Sequence, residues 1–228
     1  MDTLKVVIIG AKNPETARMM SAISDAEPAR TGVRHVFHGF VDNDPARQGT
    51  EFCGLPVFGG FEVLDALIDQ GCVFVNTITG STRTRYETSR AVRVRGGRFV
   101  NFIHPTAGQP DRIGTGNYIQ EHVLIQADVS IGDNSSIHFG AVISHESRIG
   151  NSTFVAHRVS ISGEVVIGDG VFIGTNATLV PRIVIGNWAT IGAGAVVLKD
   201  VPPYAVVVGN PAKILRIDEA RYADGAIG

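Results

Sequence analysis

The chain holds only 2 cysteines in 228 residues, Cys53 and Cys72, and their spacing is not that of a metal site. A disulfide-built scaffold and a thiolate zinc centre are thereby excluded, and buried reduced thiols in a cytoplasmic protein are expected. Charge of one sign is lacking too: 20 Lys and Arg against 22 Asp and Glu leave a net charge of −2. So balanced a chain gives no electrostatic case for nucleic acid or an anionic membrane as a partner. No apolar run approaches the roughly 20 residues that cross a bilayer. The run Val6 to Ile9 is too short for a signal sequence and lacks the basic start of one, which again points to the cytoplasm.

Glycine, by contrast, is plentiful at 27 residues, and it accompanies a repeat. From Ile113 to Val197 an aliphatic residue returns at every sixth position, 15 times without a miss. Glycine often follows it directly, as in Ile131-Gly132, Ile149-Gly150 and Ile167-Gly168, and four positions after it stands a small or branched residue such as Ala141, Val159 or Ala177. A period of six fits neither a 3.6-residue helix nor one long strand of period two. It is the pattern of a parallel β-helix, one short strand and one corner per unit, with three units closing a triangular coil. The repeat then makes about five coils, and at roughly 4.8 Å per coil a prism about 24 Å tall. Aliphatic residues stack inside it, and the small ones let the chain turn.

The residues ahead of the repeat follow another rhythm. Leu4 to Ile9 is an apolar run closed by Gly10; Asn13 suits the N-cap and Pro14 the first position of a helix reaching about Ile23. Val33 to Val41 is a second run, Phe61 to Asp69 a helix, Val73 to Ile78 a buried strand, Thr82 to Arg95 a basic helix and Arg98 to Ile103 a return strand. Strands alternating with helices imply a small, Rossmann-like parallel sheet. Ligands in such sheets sit at the carboxyl ends of the strands, which brings Gly10 to Asn13, Asp42-Asn43 and Thr79-Gly80 around one crevice. A helix N-terminus there offers N–H groups to a phosphate, and Lys12 adds charge. The expected division is an α/β domain over 1–104 and a β-helix domain over 105–228, ending in a tail helix around Ala212 to Arg221 that caps the prism.

Residues 18 apart are vertical neighbours in such a prism, and this ruler picks out a notch. Ser144-His145-Glu146 interrupts an otherwise bland surface, and above His145 lies Gly163, which sets a ring against bare backbone. One column over, His157, Thr175 and Ala193 follow at the same interval and narrow to small side chains, a groove for a long thin ligand lying along the axis.

Together with the closing run Lys199-Asp200-Val201-Pro202-Pro203-Tyr204 and Val208-Gly209-Asn210-Pro211-Ala212-Lys213, the repeat and the His145-Glu146 pair resemble the hexapeptide acyltransferases. Within them the chain is most similar to the sugar acyltransferases of the sialic acid O-acetyltransferase and bacillosamine N-acetyltransferase type. Phe40-Val41-Asp42-Asn43-Asp44, Gly54-Leu55-Pro56-Val57 and Gly80 followed by Arg85 match that family's nucleotide-sugar domain in order and spacing, whereas the loop Gly10-Ala11-Lys12-Asn13-Pro14 departs from its Gly-Gly-His type. The resemblance implies a left-handed coil, acetyl-CoA as co-substrate, a nucleotide-linked amino sugar as acceptor and a cyclic homotrimer with the coenzyme between adjacent prisms.

It also implies roles. His145 is the general base, suited to it by a usual pKa of about 6.5; Glu146 fixes its tautomer, and the Gly163 N–H stabilises an oxyanion. Thr175 and Ala193 meet the coenzyme through the main chain, and Lys199 and Lys213 are candidates for its phosphates. Lys12, Asn13, Asp42, Asn43 and Gly80 face the nucleotide, and His138 stands where relatives carry an Asn toward the sugar. With no cysteine in the repeat, direct attack on the thioester in a ternary complex is expected. N-acetylation, with the amine at C4 of the sugar, is the leading reading; O-acetylation of a sugar such as sialic acid and a non-catalytic trimeric nucleotide-binding scaffold are the alternatives. The γ-type carbonic anhydrases hold zinc on the same fold with a His-x-x-x-x-His spacing, but His138, His145 and His157 stand 7 and 12 apart, so no metal is expected.

Overall fold

The computed structural model describes residues 2–219. They fall into two compact units that change over between 106 and 107, except that residues 115–120 belong with the first.

In the first unit the strands are β1 (Asp2–Ile9), β2 (Val33–Val41), the short hairpin strands β3 (Glu51–Phe52) and β4 (Leu55–Pro56), β5 (Val73–Asn76), β6 (Arg98–Phe99) and β7 (Phe102–Ile103); the helices are α1 (Glu15–Thr31), α2 (Leu64–Asp69) and α3 (Thr82–Arg93). The main sheet has the order β2-β1-β5-β6 and every pair in it is parallel. Helices must then cover both faces, and the continuous apolar runs of β1 and β5 meet that demand. Val6, Ile8, Val73 and Val75 pack with Met19 and Ile23 of α1. Val7, Ile9 and Phe74 pack on the other side with Leu64, Leu67 and Val92 of α2 and α3. Asn13 accepts a hydrogen bond from the Glu15 N–H at 3.0 Å, so the expected cap is present. The helix it starts runs past Ile23, through Pro28, to Thr31, and Gly32 with φ 74° follows it.

The expected boundary at 104 misses one excursion. Tyr118–Ile119, which carries an aliphatic residue of the repeat, pairs in parallel with β7, and the Tyr118 ring stacks on Phe102 at 5.8 Å. A strand edge and a large aromatic surface thus draw residues 115–120 to the first unit.

The second unit is built from three parallel sheets of two-residue strands, the architecture of a left-handed β-helix. One sheet holds Arg112–Ile113, Ser130–Ile131, Arg148–Ile149, Val166–Ile167 and Val184–Ile185; a second holds Leu124–Ile125, Val142–Ile143, Ser160–Ile161, Thr178–Leu179 and Val196–Val197. The third runs from Ser136–Ile137 through Phe154–Val155, Phe172–Ile173 and Thr190–Ile191 to Ala205–Val208. Within the repeat each strand pairs with the one 18 residues on, as in Ile131 with Ile149, and the closing step from Ile191 to Val207 spans 16.

The corners are made differently from the sequence-based expectation. The residue that turns the chain is the third after the aliphatic one, where φ is positive: His122, Asp128, Asn134, Glu146, Ser152, Arg158, Glu164, Asn176, Arg182 and Trp188, with φ of 53 to 64°, besides Gly116, Gly140, Gly170 and Gly194. Side chains rarely adopt that conformation, which costs roughly 1–2 kcal/mol per residue. From Glu146 onward each strained residue gains a coil-to-coil hydrogen bond, as in Glu146 N–H to Ala127 O at 3.0 Å and Glu164 N–H to His145 O at 2.9 Å. The glycine after the aliphatic residue has another use. A Cβ on Gly150 would lie 2.6 Å from Asp169 Oδ1 and from the carbonyl carbon of Gly168, and Gly132 and Gly168 are obstructed in the same way. The space they leave holds a ladder: Asn151 Oδ1 accepts from Asp133 N–H (2.8 Å), Asp169 Oδ1 from Asn151 N–H (2.6 Å) and Asn187 Oδ1 from Asp169 N–H (3.0 Å).

The tail also departs from expectation. In place of a helix, Lys213–Ile217 forms a strand antiparallel to Ala205–Val208, because the Gly209 to Ala212 turn returns the chain along an edge that supplies main-chain partners. Arg221, the end of the expected helix, lies outside the described residues.

Candidate active site

His145 is carried on a corner of the prism. Its main-chain N–H donates to Gln126 Oε1 (3.0 Å), and Glu146, in the left-handed conformation with φ 60°, turns its carboxylate back so that Oε2 lies 3.0 Å from His145 Nδ1. That contact leaves Nε2 as the nitrogen available for proton transfer. The ring lies over Gly163: a Cβ there would come within 2.7 Å of both Cε1 and Nε2. Gly163 O accepts from Arg182 N–H at 3.1 Å, whereas the Gly163 N–H has no acceptor among the described residues. An imidazole, a carboxylate on its Nδ1 and a main-chain N–H without an acceptor among the described residues therefore converge within one coil spacing. One coil up, Glu164 pairs with Arg182 at 3.6 Å.

The neighbouring column is assembled as the ruler demands, since Asn176 N–H reaches His157 O (3.1 Å) and Gly194 N–H reaches Thr175 O (2.8 Å). Thr175 and Ala193 are exposed along it. Lys199 and Lys213 are exposed as well.

In the first unit, the carboxyl ends of β1, β2 and β5 enclose a cavity of about 570 Å³. Gly10, Lys12, Asn13, Asp42, Asn43 and Gly80 all line it. Asp42 holds the first loop in place: Oδ2 accepts from Ala11 N–H (2.8 Å) and Oδ1 from Asp44 N–H (2.9 Å). Arg47 closes the same loop from outside by donating to Ala11 O. Gly10 has φ 98°, a conformation that side chains rarely adopt, so the turn itself favours glycine there. Asn43 Oδ1 accepts from Phe61 N–H (2.9 Å), and its amide nitrogen, like the Lys12 ammonium, has no partner among the described residues. The cavity thus presents uncommitted donors, the complement of a ligand rich in oxygen acceptors.

A family model described as bacterial transferase hexapeptide (six repeats) matches residues 146–180 and 164–199. PerB from Caulobacter crescentus, solved in complex with CoA and GDP-perosamine, is 32% identical over 93% of this chain and 97% of that one, with a TM-score of 0.79. The chain belongs to the hexapeptide-repeat acetyltransferases. The acetyltransferase domain of PglB from Neisseria gonorrhoeae FA1090, in complex with acetyl coenzyme A, is 26% identical over 93% of this chain and 100% of that one, with a TM-score of 0.77. WeeI from Acinetobacter baumannii AYE, 22% identical over 93% and 100% with a TM-score of 0.75, shares the fold. No curated protein matches.

For a hexapeptide-repeat acetyltransferase the placement of His138 is informative. It is buried at 3%, its Nε2 lies 3.0 Å from Ser136 Oγ, and its ring packs on Phe154 (4.6 Å) and His157 (4.9 Å). These contacts set it in an aromatic cluster with Phe172, which stacks on Phe154 at 4.8 Å, and they do not bring it beside His145. Gln126 was not singled out in the sequence because it stands 19 residues before His145, one off the ruler. Phe61 and Thr77 line the cavity without any motif to flag them.

Proposed function

We propose that the protein is an acetyl-CoA-dependent N-acetyltransferase whose acceptor is an amino sugar carried on a nucleotide, with the amine at C4. The observation that carries this reading is the His145 ring fixed by Glu146 over the bare backbone of Gly163. Acetyl-CoA supplies the thioester carbonyl. His145 Nε2 takes a proton from the attacking amine as the C–N bond forms, Glu146 stabilises the imidazolium, and the Gly163 N–H donates to the oxyanion. As the C–S bond breaks, His145 returns the proton to the leaving sulfur, so the imidazole ends as it began. The Thr175 and Ala193 column lies along the coenzyme arm, and the donor-lined cavity takes the nucleotide. The 32% identity to a protein solved with CoA and GDP-perosamine supports both halves of the reading. In this reading the enzyme works as a cyclic homotrimer, the His145 corner of one subunit facing the groove of the next.

The test is thiol release from acetyl-CoA with GDP-, UDP- and dTDP-linked 4-amino sugars, run beside His145→Ala. Turnover with one of them, reduced about 10²- to 10⁴-fold in the variant, is expected. Turnover with none, or an unaffected variant, sinks the reading.

A further inference from the structure

Arg85 is 1% exposed, and arginine is almost never fully buried unless its donors are engaged. Nη1 donates to the main-chain carbonyls of Asn76 (2.7 Å) and Ile78 (3.1 Å), and Nη2 to that of Gly116 (3.2 Å). Burial pushes its pKa down to about 9, which leaves it charged at neutral pH. The guanidinium does not line the cavity; it lies behind the wall formed by the end of β5. Asn76, fully buried there, completes the same frame: Nδ2 donates to Arg85 O (3.2 Å), Thr88 Oγ1 (2.9 Å) and Ser89 Oγ (2.8 Å), while Oδ1 accepts from Ile78 N–H (2.9 Å). The Thr77 N–H is closed by Ile9 O at 3.0 Å. The carbonyls of Asn76 and Ile78 and the N–H groups of Thr77 and Ile78 are thus all engaged. The next two N–H groups, of Thr79 and Gly80, have no acceptor among the described residues, and both residues line the cavity.

We infer that Arg85 is a positioning residue for the nucleotide-sugar cavity: by holding the Asn76 and Ile78 carbonyls it keeps the Thr79-Gly80 turn in its binding geometry before any ligand arrives. The inference rests on the reading of that cavity given above. Preorganisation acts on affinity by sparing the ligand the cost of ordering its site. A lysine keeps the charge, but its single ammonium cannot span three carbonyls as the planar fork does. Loss of the fork therefore loosens the wall without touching His145.

The experiment uses full-length protein and GDP-, UDP- and dTDP-linked 4-amino sugars as probes. For Arg85→Lys, KM for the accepted nucleotide sugar should rise about tenfold or more, while KM for acetyl-CoA and kcat at saturation stay within about twofold. An unchanged nucleotide-sugar KM, or a fall in kcat with KM intact, overturns the inference. If wild-type protein binds no nucleotide sugar, the reading of the cavity fails and takes this inference with it; binding of equal strength by wild type and variant removes the inference alone. Should the variant not fold, amide exchange in the wild type decides. The amides of Thr77 and Ile78, which donate to Ile9 O and Asn76 Oδ1, must be protected before nucleotide sugar is added, and free exchange there that is quenched only by the ligand overturns the proposal.

Discussion

The His145 and Glu146 side chains are 55% and 59% exposed, so their contact contributes little to folding and acts by orienting the ring. Gly163 enforces the same orientation from the next coil, which makes it the more diagnostic position. Gly163→Ala puts a methyl 2.7 Å from the ring, and the ring must move. An activity loss of about 10- to 100-fold with an unchanged circular dichroism spectrum is expected; full activity would show that the ring does not work where it lies. His157 supports a different prediction. Burial pushes its imidazole below the usual histidine range, with Glu121 opposing, and its ring is packed against His138 and Phe139. The unfolded chain then takes up the proton first, so stability from this group is present above about pH 6.5 and is lost as pH falls toward the lowered folded value. Thermal melts from pH 8 to 5 should decline less steeply for His157→Gln than for wild type, and superimposable curves would remove His157 as a source. His145 was legible because a fixed period makes vertical neighbours countable. The burial of His138 was not, since it depends on which rings meet across coils.

At the scale of the element, the repeat separates two tasks that a composition count merges. Strain is tolerated at the corners, where from Glu146 onward the N–H finds the coil below. Glycine is needed where the Asn and Asp ladder crosses the backbone. Gly150→Ala therefore should lower stability by about 1–3 kcal/mol, because the obstacle is main chain and cannot yield. Asp128→Gly, at a corner with φ 59°, should change it by less than about 0.5 kcal/mol, as relief of strain offsets the greater freedom of the unfolded chain. Chemical denaturation of both variants checks the pair; equal losses would mean that glycine serves the turn after all.

For the whole molecule, a prism with exposed Leu124, Val166 and Val184 on its faces has apolar surface to share with copies of itself. The proposed trimer predicts a mass by light scattering of three times 24.2 kDa, independent of concentration over the micromolar range. A monomer of full activity would place the coenzyme groove and His145 in one subunit and exclude the shared site.

The sequence alone determined the β-helix, its coil length and the His145 to Gly163 stacking, because a period of six leaves one way to bury fifteen aliphatic side chains. It also determined the βα alternation and the loops around the cavity, because ligand sites in parallel sheets follow from strand direction. Only the tertiary structure decided that residues 115–120 join the first unit, that the tail is a strand, that His138 is packed among rings, and that Arg85 braces the cavity wall. Those outcomes depend on which edges and buried carbonyls happen to lie within reach, and distance in space is not written in spacing along the chain.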